Sequence, residues 1–427
     1  MLKGFANAFR IPELRKKILI TVGILLLYRF GAYLPAPGIP FSDMLAAYQN
    51  AASTSGALAV LNLFSGGALS RVSVFSLGIM PYITSQIILQ MMQTVIPSLG
   101  ELAKEGESGQ RKITQYTRYL TVVLATINAI GYLFLFKSYG IDFSGMGIPE
   151  FLENLIIVFV LIVGAILIMW LGEVITQRGI GNGMSLIIFC NIMSGLPTAL
   201  ISSVTTSTNG MILTIVTFVA IIFGIIPAIV YIERGQRRIP VQYAKRVVGR
   251  RMMGGQSTYL PIKVNTAGVV PIIFASAILY LPAQLAVFFP RVGWIQSFAN
   301  AISSGWLNWV LSVVFIVFFA YFYTSMVFNP EETADQLKKA GGFIPGVRPG
   351  SATAEYIQSV LNHITLPGAI FMAALAVIPS IIFTFTSNQL IQAFGGTSVL
   401  IMVGVAMDTI ASLESQLKMH NYEGFFK

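Results

Sequence analysis

Two kinds of chemistry can be sought in these 427 residues: groups that make or break bonds, and side chains spaced to line a passage. The first kind is sparse. His363 and His420 stand far apart, Cys190 is the single cysteine, and neither H-E-x-x-H nor G-x-S-x-G occurs. A His-based metal site, a disulfide framework and nucleophilic catalysis therefore all lack their residues. Cys190 lies in an apolar run and reads as a small core hydrophobe. The run RGIGNG at 178–183 has neither the G-x-G-x-x-G spacing nor a preceding strand. It reads as a glycine-rich helix entry packed closely against its neighbours. The second kind is present. Ile79, Ile83, Gln86, Gln90 and Gln93 follow +4, +3, +4, +3 spacing, which is one face of a helix. Two branched apolar groups followed by three amides suit a passage that widens from a dry constriction into water. The alternative is hydrogen bonding of the amides between helices.

The elements that must position this face lie in a bilayer. Hydrophobic residues make up 55% of the chain and charged ones 10%, and the mean hydropathy is +0.76. Soluble domains are about 25% charged. A crossing helix needs about 20 mostly apolar residues. That criterion predicts ten spans, near 18–35, 74–97, 116–136, 154–175, 184–203, 211–232, 266–289, 306–328, 366–387 and 396–414. The first follows a basic tail, but its run is long and no A-x-A-like cleavage site follows, so it reads as a retained span. With the amino terminus inside, 23 of the 27 Lys and Arg fall in cytoplasmic segments. Both termini are therefore expected in the cytoplasm. On this layout Arg29 sits near the outer end of its span, close enough to snorkel. Glu173, Glu233 and Asp408 sit at or near cytoplasmic ends. No ionisable group stands at the midplane, where a coupled transporter or an intramembrane enzyme would need one.

Two connections are long, both cytoplasmic: 233–265, with eight Lys and Arg against one Glu, and 329–365, with mixed charge. Eight basic residues exceed what orientation needs. They point to a macromolecular partner, an acidic protein face or structured RNA, besides anionic lipid. A faint internal repeat also appears. Gly78–Ile83 and Gly268–Ile273 both read G-x-x-P-x-I, while Gly183–Ile188 and Gly396–Ile401 both read G-x-S-x-x-I. Spans two and seven, and five and ten, thus become equivalent members of two five-span halves, 1–210 and 211–427. Because five is odd, the second half enters from the opposite face, an inverted repeat.

These residues resemble a known family. Segments 29–39 (RFGAYLPAPGI), 62–83 (NLFSGGALSRVSVFSLGIMPYI), 105–119 (EGESGQRKITQYTRY), 170–185 (WLGEVITQRGIGNGMS), 233–246 (ERGQRRIPVQYAKR) and 327–350 (VFNPEETADQLKKAGGFIPGVRPG) are similar to those of the SecY family. That family comprises the channel subunits of the bacterial Sec translocon. The resemblance implies an all-α polytopic fold of ten transmembrane helices in two inverted halves around an hourglass pore. It implies a plasma-membrane channel that passes unfolded polypeptides and releases apolar segments sideways between spans two and seven. The implied pore ring is Ile79, Ile83, Met184, Ile188, Ile273 and Ile401, with Met184 a departure from the usual branched aliphatic residue. A plug helix within 61–73 is implied, including Leu63, Phe64, Ser65, Gly66, Gly67 and Arg71. Arg348 is implied as a motor contact, and Arg250 and Arg251 are expected beside it in the docking surface. The implied partners are SecE, SecG, the motor SecA, the ribosome and signal-bearing preproteins, with anionic lipids around them. No cofactor is expected. The rival reading is a secondary transporter of a small solute, which inverted repeats and Gly/Pro-broken helices also allow.

Overall fold

Proline sets where several of the helices begin. Its fixed φ and missing N–H cost nothing in a first turn, and Pro occupies that turn in Pro12–Gly31 (α1), Met80–Val95 (α2) and Pro97–Lys104 (α3). In the computed structural model, the described residues are 11–37, 65–138, 149–205, 216, 218–243, 246–248, 251–253, 257–288, 292–303, 305–386 and 397–423. The chain continues through Glu107–Ser138 (α4), Glu150–Arg178 (α5), Gly183–Thr205 (α6), a π-turn at Ile221–Ile225, and Ile226–Arg234 (α7). After a small sheet come Val270–Phe288 (α8), Gly293–Ser303 (α9), Trp306–Val327 (α10), Pro330–Lys339 (α11), Ser351–Thr386 (α12) and Thr397–Glu423 (α13). A helix or part of one stands at each of the ten predicted positions. Among the described residues, five helices are by themselves long and apolar enough to cross a membrane: those beginning at Glu107, Glu150, Trp306, Ser351 and Thr397.

Several boundaries differ from the sequence reading, and two of the differences have a visible cause. The second span is predicted from 74, but helix begins only at Met80, because Gly78 (φ +58°) turns the chain there. Residues 351–365, read as loop, are the first turns of α12. The segment is polar overall, and its signal is the buried i, i+4 pair Ile357 and Leu361.

That pair explains what the two long loops become. Gln236–Tyr243 (β1) pairs antiparallel with Ser257–Lys263, running from Gln236 opposite Lys263 to Gln242 opposite Ser257. Between them lie Arg246–Val248 (β2) and Arg251–Met253 (β3), which form a separate two-stranded ribbon, so Ser257–Lys263 is β4. Gly342–Phe343 (β5), from the second loop, adds to the free edge of β1. Alternation along β1 turns Ile239 and Val241 inward, against Ile262, Ile344, Ile357 and Leu361. Burying each such side chain is worth about 1.5–3 kcal/mol. The loops read as separate therefore share one sheet and one small core.

α11 is fastened by its ends. Asn329 Oδ1 accepts from the Glu331 and Glu332 amides at 3.1 and 3.4 Å. Acidic residues stand at its positive end and Lys338 and Lys339 at its negative end.

Candidate functional site

The candidate ring residues come together where four helix entries meet. Gly78 and Gly268 both adopt positive φ, +58° and +63°. One residue later, the Ile79 carbonyl accepts from the Tyr82 and Ile83 amides at 3.1 and 3.2 Å. The Val269 carbonyl accepts from Ile272 and Ile273 at the same two distances. The two G-x-x-P-x-I segments thus share the positive-φ glycine and the bonding of the carbonyl after it, and each delivers an isoleucine into the interior. Ile79, Ile83, Met184, Ile188, Ile273 and Ile401 are all at most 7% exposed and belong to one continuous apolar cluster. Met184 differs from the others. Its thioether rests on Gly172 of α5, leaving no room for a Cβ there. The RGIGNG run positions it: Gly181 turns at φ +74°, Gly183 lies on the Gly172 carbonyl, and Asn182 Oδ1 accepts from the Met184 amide at 3.0 Å.

Against this cluster sits the segment that opens at Ser65. Leu63 and Phe64 lie outside the described residues. Ser65 Oγ accepts from the Leu69 amide at 3.1 Å, starting a single 3-10 turn over Leu69–Arg71. Ala68, Leu69 and Val72 are buried in the same cluster as the six candidate ring residues. The segment is held by polar bonds from two helices. Arg29 Nη1 donates to the Gly66 carbonyl at 3.0 Å, and Ser194 Oγ reaches the same oxygen at 3.5 Å. Tyr28 Oη donates to Asn191 Oδ1 at 2.8 Å, and the Tyr28 ring stacks on Phe75 at 5.5 Å. Gly66 must be glycine: φ is +65°, and a Cβ would stand 2.6 Å from Asn191 Oδ1 and 2.8 Å from Arg29 Nη1. Gly67 takes φ +83° as well. Arg71 lies 4.1 Å over the Tyr33 ring. Arg29 therefore has a backbone partner, which the snorkelling reading missed.

A family model described as SecY matches residues 73–410. The chain belongs to the SecY family. It is 48% identical to the protein translocase subunit SecY of Mycobacterium bovis over 446 residues, covering all of both chains. Its identity to the subunit of the same name from Streptomyces coelicolor is 45% over 450 residues, again covering all of both. Among solved structures, a protein-conducting channel superposes with a TM-score of 0.61 at 17% identity, covering 96% of each chain. Sec61 from a canine ribosome-channel complex gives a TM-score of 0.57 at 16% identity, also covering 96% of each. These two share the fold.

In this SecY-family chain the three amides follow Ile83 along α2. Gln86, Gln90 and Gln93 are all half-buried, and Gln90 Oε1 is enclosed without a hydrogen-bond partner among the described residues. An enclosed carbonyl oxygen of this kind calls for a donor such as water. Arg250 lies outside the described residues, Arg251 opens β3 opposite Val248, and Arg348 is exposed in the turn before α12. The Arg348 carbonyl accepts from Thr353 Oγ1 at 2.8 Å, which fixes that turn. Arg237 and Arg238 are exposed on β1, basic positions that the sequence reading had not singled out from their loop.

Proposed function

We infer that this chain is the channel subunit of a protein translocase, passing unfolded secretory polypeptides through an hourglass pore and releasing apolar segments sideways into the bilayer. The observation that carries the reading is the burial of six residues from four helix entries in one apolar cluster, with a tethered segment packed on it. A narrow apolar constriction holds no continuous water column, so it blocks ions without polar groups. Isoleucine is stiff about χ1 and offers a passing chain no hydrogen bonds that would hold it. The tethered segment is then the plug of the resting state. The half-buried amides of α2 line the cytoplasmic funnel. Lateral exit lies between α2 and α8, which pack against each other here.

In this reading ten helices cross the plasma membrane as two inverted halves, with both termini in the cytoplasm. The shared cytoplasmic sheet and the Arg348 turn dock the motor ATPase SecA or a ribosome, which supply the driving force. SecE and SecG are the small membrane partners, and anionic lipids meet the basic loop. Support for ribosome docking comes from two fold neighbours: canine Sec61 in a ribosome-channel complex, and a yeast Ssh1 complex bound to the 80S ribosome.

Proteoliposomes holding the chain with its small subunits test this reading. With motor and ATP added, they should protect a signal-bearing preprotein from external protease. Accumulation of labelled small solutes without preprotein protection would return the transporter reading.

A further inference from the structure

Asn265 is 5% exposed at the point where β4 gives way to α8. Its Nδ2 donates to Glu233 Oε1 on α7 at 2.8 Å and to the Gly268 carbonyl at 2.9 Å, and it lies 3.3 Å from Met372 Sδ on α12. From α13, Asp408 Oδ2 stands 3.6 Å from where a Gly268 Cβ would be, and Gly404 presses on the Val269 side chain. Upstream, the Val264 amide donates to the Gly235 carbonyl at 2.8 Å, joining the end of β4 to the start of β1. One buried amide thus fastens the entry of α8 to helices of its own half. Further along, α8 packs against α2 and α4 of the other half. Ile273 follows Asn265 by eight residues. The six residues between β4 and α8 form bends and turns, and the Asn265 bonds fix them, so a displacement of β4 reaches the constriction through Asn265.

This junction is the counterpart of the plug tether. Arg29 of α1 holds the segment before α2, while Glu233 of α7 holds, through Asn265, the segment before α8. The two held segments end in the matched glycines Gly78 and Gly268.

We propose that Asn265 is a positioning residue that keeps α8 in its resting place and, through β4, couples load on the cytoplasmic sheet to the constriction and the lateral exit. The proposal rests on the channel reading above. Losing the amide leaves the Glu233 carboxylate without its donor and frees the α8 entry to shift. The resting state is then favoured less, and weaker signals suffice to open it.

The test uses proteoliposomes of the whole complex at equal channel content, carrying Asn265→Ala, Glu233→Ala or Glu233→Gln. The readout is the ratio of transport for a precursor with a crippled signal to that for one with an intact signal, alongside motor affinity. The ratio should rise about tenfold in both alanine variants, the factor equivalent to about 1.4 kcal/mol and close to the lower end for one hydrogen bond to a charged group. Glu233→Gln retains an acceptor and should stay near the wild-type ratio, with motor affinity unchanged throughout. A purely structural role would lower both precursors together and leave the ratio unmoved, which overturns the proposal. So does a Glu233→Gln ratio as high as that of Glu233→Ala. Wild-type vesicles that pass no intact-signal precursor would overturn the channel reading itself, and this inference with it.

Discussion

Arg29 Nη1 and the Gly66 carbonyl oxygen lie 3.0 Å apart, joining α1 to the segment packed on the apolar cluster. A charge-assisted bond at a partly buried site is among the stronger tethers a backbone carbonyl can have. Ser194 on α6 reaches the same oxygen, and Asn191 one turn earlier is held by Tyr28. The segment is therefore bonded to both α1 and α6, and neither bond involves a candidate ring residue.

Gly66→Ala should loosen that clamp. The left-handed backbone costs a non-glycine residue about 1–2 kcal/mol, and the added methyl displaces Asn191 and Arg29. The closed population should fall about tenfold, read as increased ion leak through otherwise idle proteoliposomes. Arg29→Ala should give a smaller increase in the same direction. Unchanged leak in both variants contradicts the tether.

Ile401→Asn should wet the constriction. Ile401 is fully buried within the cluster, and an amide there costs about 1–3 kcal/mol unless water or a partner satisfies it. The closed state is destabilised by that amount, so precursors with defective signals should cross more readily. Ile401→Val, which keeps the branched apolar shape, should behave as the parent. Equal behaviour of Asn and Val at 401 would show that polarity at this position does not govern closure.

Cysteines at 86, 90 and 93 should react with a membrane-impermeant thiol reagent added from the cytoplasmic side. The half-buried amides and the unpartnered Gln90 oxygen motivate this expectation. Protection at all three positions would favour amides paired between helices.

Reversing Arg250, Arg251 and Arg348 to Glu together should weaken motor binding by at least about tenfold, with less dependence on salt than in the parent. Insertion should be unaffected, because the rest of the basic loop still carries the orienting charge. Titration of labelled motor against vesicles at two ionic strengths decides the matter. Undiminished affinity at both places the docking surface elsewhere.

Much of this organisation is legible in the sequence, and the exceptions share a physical cause. Apolar runs mark the helices because the bilayer demands a minimum length. The +4, +3 spacing marks the α2 face, and the two G-x-x-P-x-I segments correspond to the same backbone geometry at Gly78 and Gly268. What escaped depends on contacts between distant segments. β5 joins β1 from another loop, so neither loop reveals the shared sheet alone. The Arg29 partner is a backbone carbonyl, which carries no side-chain signature. Asn265 is one asparagine in a polar stretch, and its role comes from Glu233, distant in sequence and adjacent in space.

The central claim is that isoleucines from both halves surround one polypeptide path. A preprotein stalled midway by a folded tag, with a thiol-reactive probe in its translocating segment, tests it directly against single cysteines at 83 and at 273. The account predicts adducts at both positions from the same stalled segment, lost when the chain is released. An adduct at only one position, or at neither, contradicts a shared ring.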